Sequence, residues 1–167
     1  MAAHLPGLLV ATGDPKGLHT YSDFKKAGVK VAIMAGADQL QMMQALGVPD
    51  SNMVTIAANA DAISTVATGR ADAYAATGLT ASELAKKSDK VELAPDFVDP
   101  VIDGKEARSW GGFNFNSDST DLRDAFNAEL VKFKKTDAWK EILSGYGFTP
   151  ADIAGSTAKT TEALCKG

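Results

Sequence analysis

The chain of 167 residues carries 17 Lys and Arg against 21 Asp and Glu, for a net charge of −4, and 45% of it is apolar. Those proportions fit a globular domain that can bury a real core, and they lack the basic footprint of a nucleic-acid binder. No apolar run approaches the ~20 residues of a membrane helix, and a single cysteine, Cys165, excludes an internal disulfide. The start, "MAAHLPGLLVATG", has no Lys or Arg and is interrupted by Pro6 and Gly7, which makes a poor signal peptide.

In chain order, "LLVAT" (8–12) reads as a strand and "GDPKG" (13–17) as a turn. Residues 20–27 read as a short helix opened by Thr20 with Asp23 three positions on. In "KVAIMAGADQLQMMQALGV" (30–48), Val31, Ile33 and Met34 suit a buried strand. Ala37, Leu40, Met43 and Gly47 then repeat at helical spacing, and Met42 and Met43 are expected in the core. "PDSN" (49–52) is a turn and "MVTIAA" (53–58) a strand, after which Asn59 is placed as the cap of a helix stopped by Gly69. "ADAYAA" (71–76) is the next strand, "TASE" (80–83) reads as a capping box of Thr80 and Glu83, and "KVELAP" (90–95) closes the series. Strand and helix alternate to about residue 95, which argues an α/β fold with a parallel sheet.

Beyond that point, "VDPVIDGKEA" (98–107) is a polar loop and "SWGGFNFN" (109–116) an extended segment. Leu122, Ala125, Phe126, Leu130 and Phe133 then mark one face of an amphipathic helix, and Trp139, Ile142, Leu143 and Tyr146 repeat the pattern up to Gly145 or Gly147. Thr149, Pro150 and Asp152 start a further turn of helix, ahead of a polar tail.

Catalytic signatures are missing. There is no G-x-G-x-x-G, no phosphate-binding G-x-x-x-x-G-K-[ST] and no G-x-S-x-G elbow. His4 and His19 are not spaced for a metal, and Cys165 in a polar tail reads as an incidental thiol. No catalytic residue, metal or cofactor is therefore expected, and the chain reads as one that holds a molecule. The strand that turns on Gly36 into a helix leaves backbone N–H groups at the positive end of the helix dipole, suited to an anion or a carboxylate. Gly36 serves either a ligand or the turn alone, and Ala37 offers its backbone N–H to a carboxylate or to ordinary helix initiation. Asn59 is a cap or a cleft contact, Thr77 a cap or a binding residue, and Trp110 packs at a hinge or lines the cleft. Asp38 reads as a favourable first-turn charge.

"LLVATGDPKGLHTYSDFKKAGVKVAIMAGADQ", "ISTVATGRADAYAATGLTA" (63–81) and "SWGGFNFNSDSTDLRDAFNAELVKFKKTDAWKEILSGYGF" (109–148) stand in the order of a known pattern. Together they resemble type II periplasmic solute-binding proteins of the polar amino-acid ABC-transporter group. The resemblance implies the second lobe of that fold, with a parallel-rich sheet, followed by a return crossing and C-terminal helices that ordinarily complete the first lobe. It implies residues 1–107 as the end of the first hinge and the second lobe, 108–150 as the crossing and helices, and 151–167 as a tail. It also implies a periplasmic setting, a small solute and a membrane permease as partners, no nucleic acid, and no enzymatic activity. Gly36, Ala37, Asn59 and Thr77 become the expected ligand contacts, clustered at the C-terminal ends of their strands.

Amino-acid binders of that group usually carry an aspartate at the end of the "GRADAY" strand to hold the ligand's α-ammonium, where this chain has Thr77. With "MAGA" (34–37) and "LRDAFNAEL" (122–130), that feature is most similar to ectoine and hydroxyectoine binders, whose zwitterionic ligand has no primary ammonium. A polar amino acid, an effector-binding domain of a regulator and a small α/β enzyme are the alternatives. The resembling proteins are longer, and the chain is expected to begin near their first hinge. Leu122, Phe126, Leu130, Phe133 and Trp139 are then expected to be exposed, and the chain to self-associate.

Overall fold

The computed structural model describes residues 3–4, 6–107, 109–146 and 148–165. In chain order it contains β1 (Ala3–His4), β2 (Pro6–Ala11), β3 (Val31–Met34), α1 (Asp38–Ala45), β4 (Met53–Ile56), α2 (Asp61–Ala67), β5 (Ala73–Thr77) and α3 (Gly78–Ala85). There follow β6 (Val91–Leu93), β7 (Val101–Ile102), β8 (Lys105–Glu106), β9 (Ser109–Trp110), α4 (Thr120–Phe133), α5 (Asp137–Gly145), α6 (Pro150–Ala158) and α7 (Thr161–Cys165). Two compact units result: Leu5–Ser109, and Met1–His4 with Trp110–Gly167. Among the described residues no helix is long and apolar enough to cross a membrane.

The first unit is built on a sheet of order β4-β3-β5-β2-β6. β3 pairs in parallel with β4 and β5, setting Val31 beside Met53 and Ala73. β2 runs antiparallel to both its neighbours, with Pro6 opposite Thr77 and Leu9 opposite Leu93. The sheet is thus mixed and mostly parallel. The antiparallel β2 escapes the sequence pattern because apolar alternation reports burial, whereas strand direction depends on partners more than 60 residues away.

Period-two alternation divides the core between the two faces. Leu8, Val10, Val31, Ile33, Ala73 and Ala75 point to one side, where Tyr21, Phe24 and Met43 cover them. Leu9, Ala32, Tyr74 and Ala76 point to the other, against Ala62 and Val66 of α2 and Ala81 and Leu84 of α3. The expected helix at 20–27 is a 3-10 turn over Tyr21–Lys25. It is held by Asp23 Oδ2, which accepts from the Thr20 and His19 backbone N–H groups at 2.9 and 3.1 Å. Its far end is pinned by Asn52, whose Nδ2 donates to the Phe24 and Lys26 carbonyls at 2.8 and 3.1 Å.

Three local expectations are corrected. α3 starts at Gly78 with Thr77 as its cap, so Thr80 lies inside the first turn and Glu83 pairs with Lys86. The nearer hydroxyl wins because β5 runs straight into α3 without a loop. α2 is preceded by Ala60 in helical conformation, and the Asn59 side chain turns elsewhere. The loop at 98–107 contains the hairpin β7–β8, turned by Asp103 and Gly104 at φ of 51° and 76°, the left-handed pair that a tight hairpin requires.

The second unit is helical and thinly cored. α4 buries no residue completely. Trp139 and Leu143 of α5 meet Ile153 of α6, with Leu130 and Phe148 alongside. Trp139, expected to be exposed, is therefore buried, because α6 continues to Ala158 and covers it. Lys134 Nζ donates to the Ser156 carbonyl at 2.8 Å and stands over the Trp139 ring. Leu122, Phe133, Ile142 and Tyr146 stay exposed, while Phe126 and Leu130 are half-buried. The Trp110 ring lies beside Gly155 of α6. The possible stop at Gly147 lies outside the described residues, and α5 ends at Gly145.

Candidate functional site

Three parallel strands deliver the chain to one edge of the sheet. β3 ends at Met34, β4 at Ile56 and β5 at Thr77; the first two give way to a helix through a short turn, and β5 runs directly into α3. In a sheet of this kind the edge beyond the strand C-termini is where a ligand crevice opens. A cleft of about 390 Å³ lies there, lined by Gly36, Ala37, Asp38 and Gln39 from the first turn, Asn59 from the second, and Tyr74, Ala76, Thr77 and Thr80 from β5 and α3. Gly36, Ala37, Asn59 and Thr77 are thus brought together on one wall, and the whole cleft belongs to the Leu5–Ser109 unit.

Local chemistry explains each position. Gly36 has φ of 76°, a left-handed conformation that lets the chain leave β3 and enter α1 within three residues. Ala37 precedes α1 in extended conformation and makes no side-chain cap, so the first turn of α1, which lines the cleft, begins without a cap from that residue. α3 starts close against β2: a Cβ on Gly7 would lie 2.6 Å from the Gly78 Cα, so two backbones touch where any side chain would separate them.

Thr77 both caps and lines. Its Oγ1 accepts from the Thr80 backbone N–H at 3.2 Å and donates to the Thr80 Oγ1 at 3.0 Å. A hydroxyl has one donor and two acceptor positions, so Thr77 keeps one acceptor position and Thr80 keeps its proton. Asn59 Oδ1 accepts from the Tyr74 hydroxyl. Burial pushes the Tyr74 phenol up from its ordinary value, which keeps it a neutral donor. Asp38, the first-turn acidic residue of α1, also lines the cleft.

Tyr74 and Gln39 are among the cleft residues that escape the sequence reading. Tyr74 sits at a core position of β5, and the alternation that buries its ring gives no sign of where the hydroxyl ends. Gln39 is 3% exposed, makes no side-chain hydrogen bond among the described residues and lines the cleft. A polar residue at an inward helical position was the available signal for Gln39. Among the described residues no three His, Cys, Asp or Glu side chains gather as a metal-binding group. The side chains of His4 and Cys165 lie outside those described.

No protein-family model matches the chain. A curated relative, the probable amino-acid ABC transporter periplasmic-binding protein y4tE of Sinorhizobium fredii (strain NBRC 101917 / NGR234), is 64% identical over 159 residues. The match takes in 95% of this chain and 53% of the relative, so the chain spans about half the length of that protein. Among solved structures, EhuB in complex with hydroxyectoine matches with a TM-score of 0.80 and 24% identity, over 99% of this chain and 62% of EhuB. The amino acid ABC transporter substrate-binding protein AbpA from Streptococcus pneumoniae, bound to L-arginine, matches with a TM-score of 0.67 and 20% identity, over 94% of this chain and 60% of AbpA. An ancestral amino acid-binding protein, AncCDT-1, matches at 0.68 and 22%, over 86% and 57%. The chain is thus similar in sequence to about half of an amino-acid ABC transporter periplasmic-binding protein, and it shares the type II periplasmic-binding fold of these structures.

Proposed function

We propose that the chain forms the ligand-binding part of the solute-binding component of a periplasmic ABC importer, and that its ligand is ectoine, hydroxyectoine or a related small zwitterionic osmolyte. It holds its ligand without transforming it and passes it to a membrane permease. The observation that carries this reading is the cleft in which Gly36, Ala37, Asn59 and Thr77 meet at the C-terminal edge of β3, β4 and β5. The first N–H groups of α1 suit the carboxylate of such a solute, and the remaining acceptor position of Thr77 suits a delocalised cationic N–H. A threonine at that place gives no full charge to a primary ammonium, which weighs against an ordinary α-amino acid. The match to EhuB in its hydroxyectoine complex supports the same solute class.

A polar amino acid is the second reading. The acidic Asp38 lines the cleft, and the relative at 64% identity is a probable amino-acid ABC transporter periplasmic-binding protein. A ligand-dependent thermal shift separates the two, since a ligand stabilises only as far as it binds the folded state. Ectoine and hydroxyectoine are expected to raise the melting temperature of the chain, with L-arginine, L-glutamine and L-glutamate leaving it unchanged. A rise with an amino acid alone would overturn the osmolyte assignment. The exposed Leu122, Phe133, Ile142 and Tyr146 further lead us to propose that the chain self-associates, which light scattering reads directly.

A further inference from the structure

We propose that Tyr74 is a positioning residue: its hydroxyl locks the Asn59 carboxamide so that the Asn59 NH2 is presented to the ligand as a donor. The inference rests on the cleft being the ligand site. A carboxamide accepts at one end and donates at the other, and half a turn about its last bond exchanges the two. An asparagine in a turn samples both orientations, so it favours neither an oxygen nor an N–H on the ligand. Here the Tyr74 hydroxyl holds one of the two orientations from below. The Tyr74 hydroxyl gives its single proton to Asn59 Oδ1, which leaves Nδ2 as the end without a protein partner among the described residues.

The lock is only as good as its anchor, and the anchor is rigid. Tyr74 is the second residue of β5, opposite Leu9 on β2 and Ala32 on β3, 1% exposed and in one core cluster with Ala62, Val66 and Leu84. Asn59 stands in the irregular turn before α2. That turn is tied by Ala58 N–H donating to Asp61 Oδ2 at 3.2 Å and by Ala62 N–H donating to the Asn59 carbonyl at 3.1 Å. Backbone and side chain of Asn59 are therefore both fixed, the second by a strand residue buried in the core. The N–H groups of the α1 first turn share the cleft, and so does the unpartnered Gln39 carboxamide. With the oxygen of Asn59 on the Tyr74 hydroxyl, its NH2 is the end left to meet a ligand oxygen.

Tyr74→Phe keeps the ring and removes the lock. Two readouts test it by NMR on the full chain. In the first, without ligand, the Asn59 side-chain NH2 is ordered in the original chain and becomes mobile in Tyr74→Phe; an equally ordered NH2 in both would overturn the lock. In the second, ectoine is the probe, and Tyr74→Phe weakens its affinity by about threefold to tenfold with the melting temperature and backbone spectrum kept. In an Asn59→Ala background the same change has no further effect, because a positioning group has nothing left to position. A loss of the same size in that background would mean that Tyr74 acts through packing, and would overturn the proposal. Ectoine binding unchanged in Tyr74→Phe also overturns it while the site stands. Absence of cleft shifts with ectoine in the original chain removes the ligand-site reading itself, and the positioning role falls with it.

Discussion

The two units of this chain use apolar residues in opposite ways. In Leu5–Ser109, a five-stranded sheet and three helices bury Leu8, Leu9, Val10, Val31, Phe24 and Tyr74 almost completely, and both faces of the sheet are covered. In the helical unit, the 14-residue α4 buries nothing fully, and its face shows Leu122 at 61% exposure. Amphipathic spacing is equally clear in both, so pattern states which face seeks cover and not whether cover is present. The cleft belongs to the unit whose core is complete. Holding Asn59 and the α1 first turn in place requires strands that do not move.

The largest expected effect exploits that contrast. Leu9→Ala, at a side chain with no exposure, should destabilise the sheet unit by about 2–5 kcal/mol. Leu122→Ala should change stability by less than about 0.5 kcal/mol while lowering the mass seen by light scattering. Urea melts of the two variants check the first contrast; equal losses would mean that α4 is covered in solution. Next in size, Gly7→Ala forces a methyl against the Gly78 backbone and should cost about 1–3 kcal/mol. It should also perturb the Thr77 and Thr80 amides at the start of α3, read in a backbone amide spectrum.

How far the sequence speaks depends on whether a feature is local. Strands β2 to β5 follow from short apolar runs, and the Thr20–Asp23 clasp follows from a spacing of three. The positive φ of Gly36 is of the same kind, since a strand must turn into a helix within three residues. The direction of β2 is not local, because its partners lie at 73–77 and 91–93. The β7–β8 hairpin was legible in the Asp103–Gly104 pair but was masked by the polar residues around it. Of the cleft, four residues were marked by their place after a strand. Tyr74 and Gln39 were not, since a core tyrosine and a helical glutamine show their polar ends only when the turns around them are in place.

Smaller effects sharpen the account of the edge itself. Thr77→Ala removes the cap of α3 and should cost about 0.5–2 kcal/mol, measured by urea melts, with Thr77→Ser restoring most of it. The smallest is pH-dependent. Burial alone would raise the Asp23 carboxyl, but hydrogen bonds from Lys26 and from the Thr20 and His19 N–H groups outweigh it and hold the group at about 2, below its ordinary 3.8. The folded state favours the charged form, so the stability Asp23 contributes is whole above 3.8 and is lost as pH falls towards 2. Asp23→Asn should flatten the acid limb of the stability curve across that window; an unchanged limb would remove Asp23 from the account.

The central claim is that the edge beyond β3, β4 and β5 binds a small carboxylate-bearing solute. A carboxylate gains about 0.3–1 kcal/mol from a helix N-terminus and about 1.5–3 kcal/mol from a donor such as Asn59 Nδ2. Together these stay well short of the roughly 8 kcal/mol of micromolar binding and close to the roughly 4 kcal/mol of millimolar binding. The most direct measurement is an NMR titration of the chain with ectoine, following every backbone amide. The account predicts millimolar affinity with shifts concentrated at Gly36, Ala37, Asn59 and Thr77. Micromolar binding, or shifts centred instead on the separate groove of Tyr21, Leu46, Val98 and Val101, would contradict it.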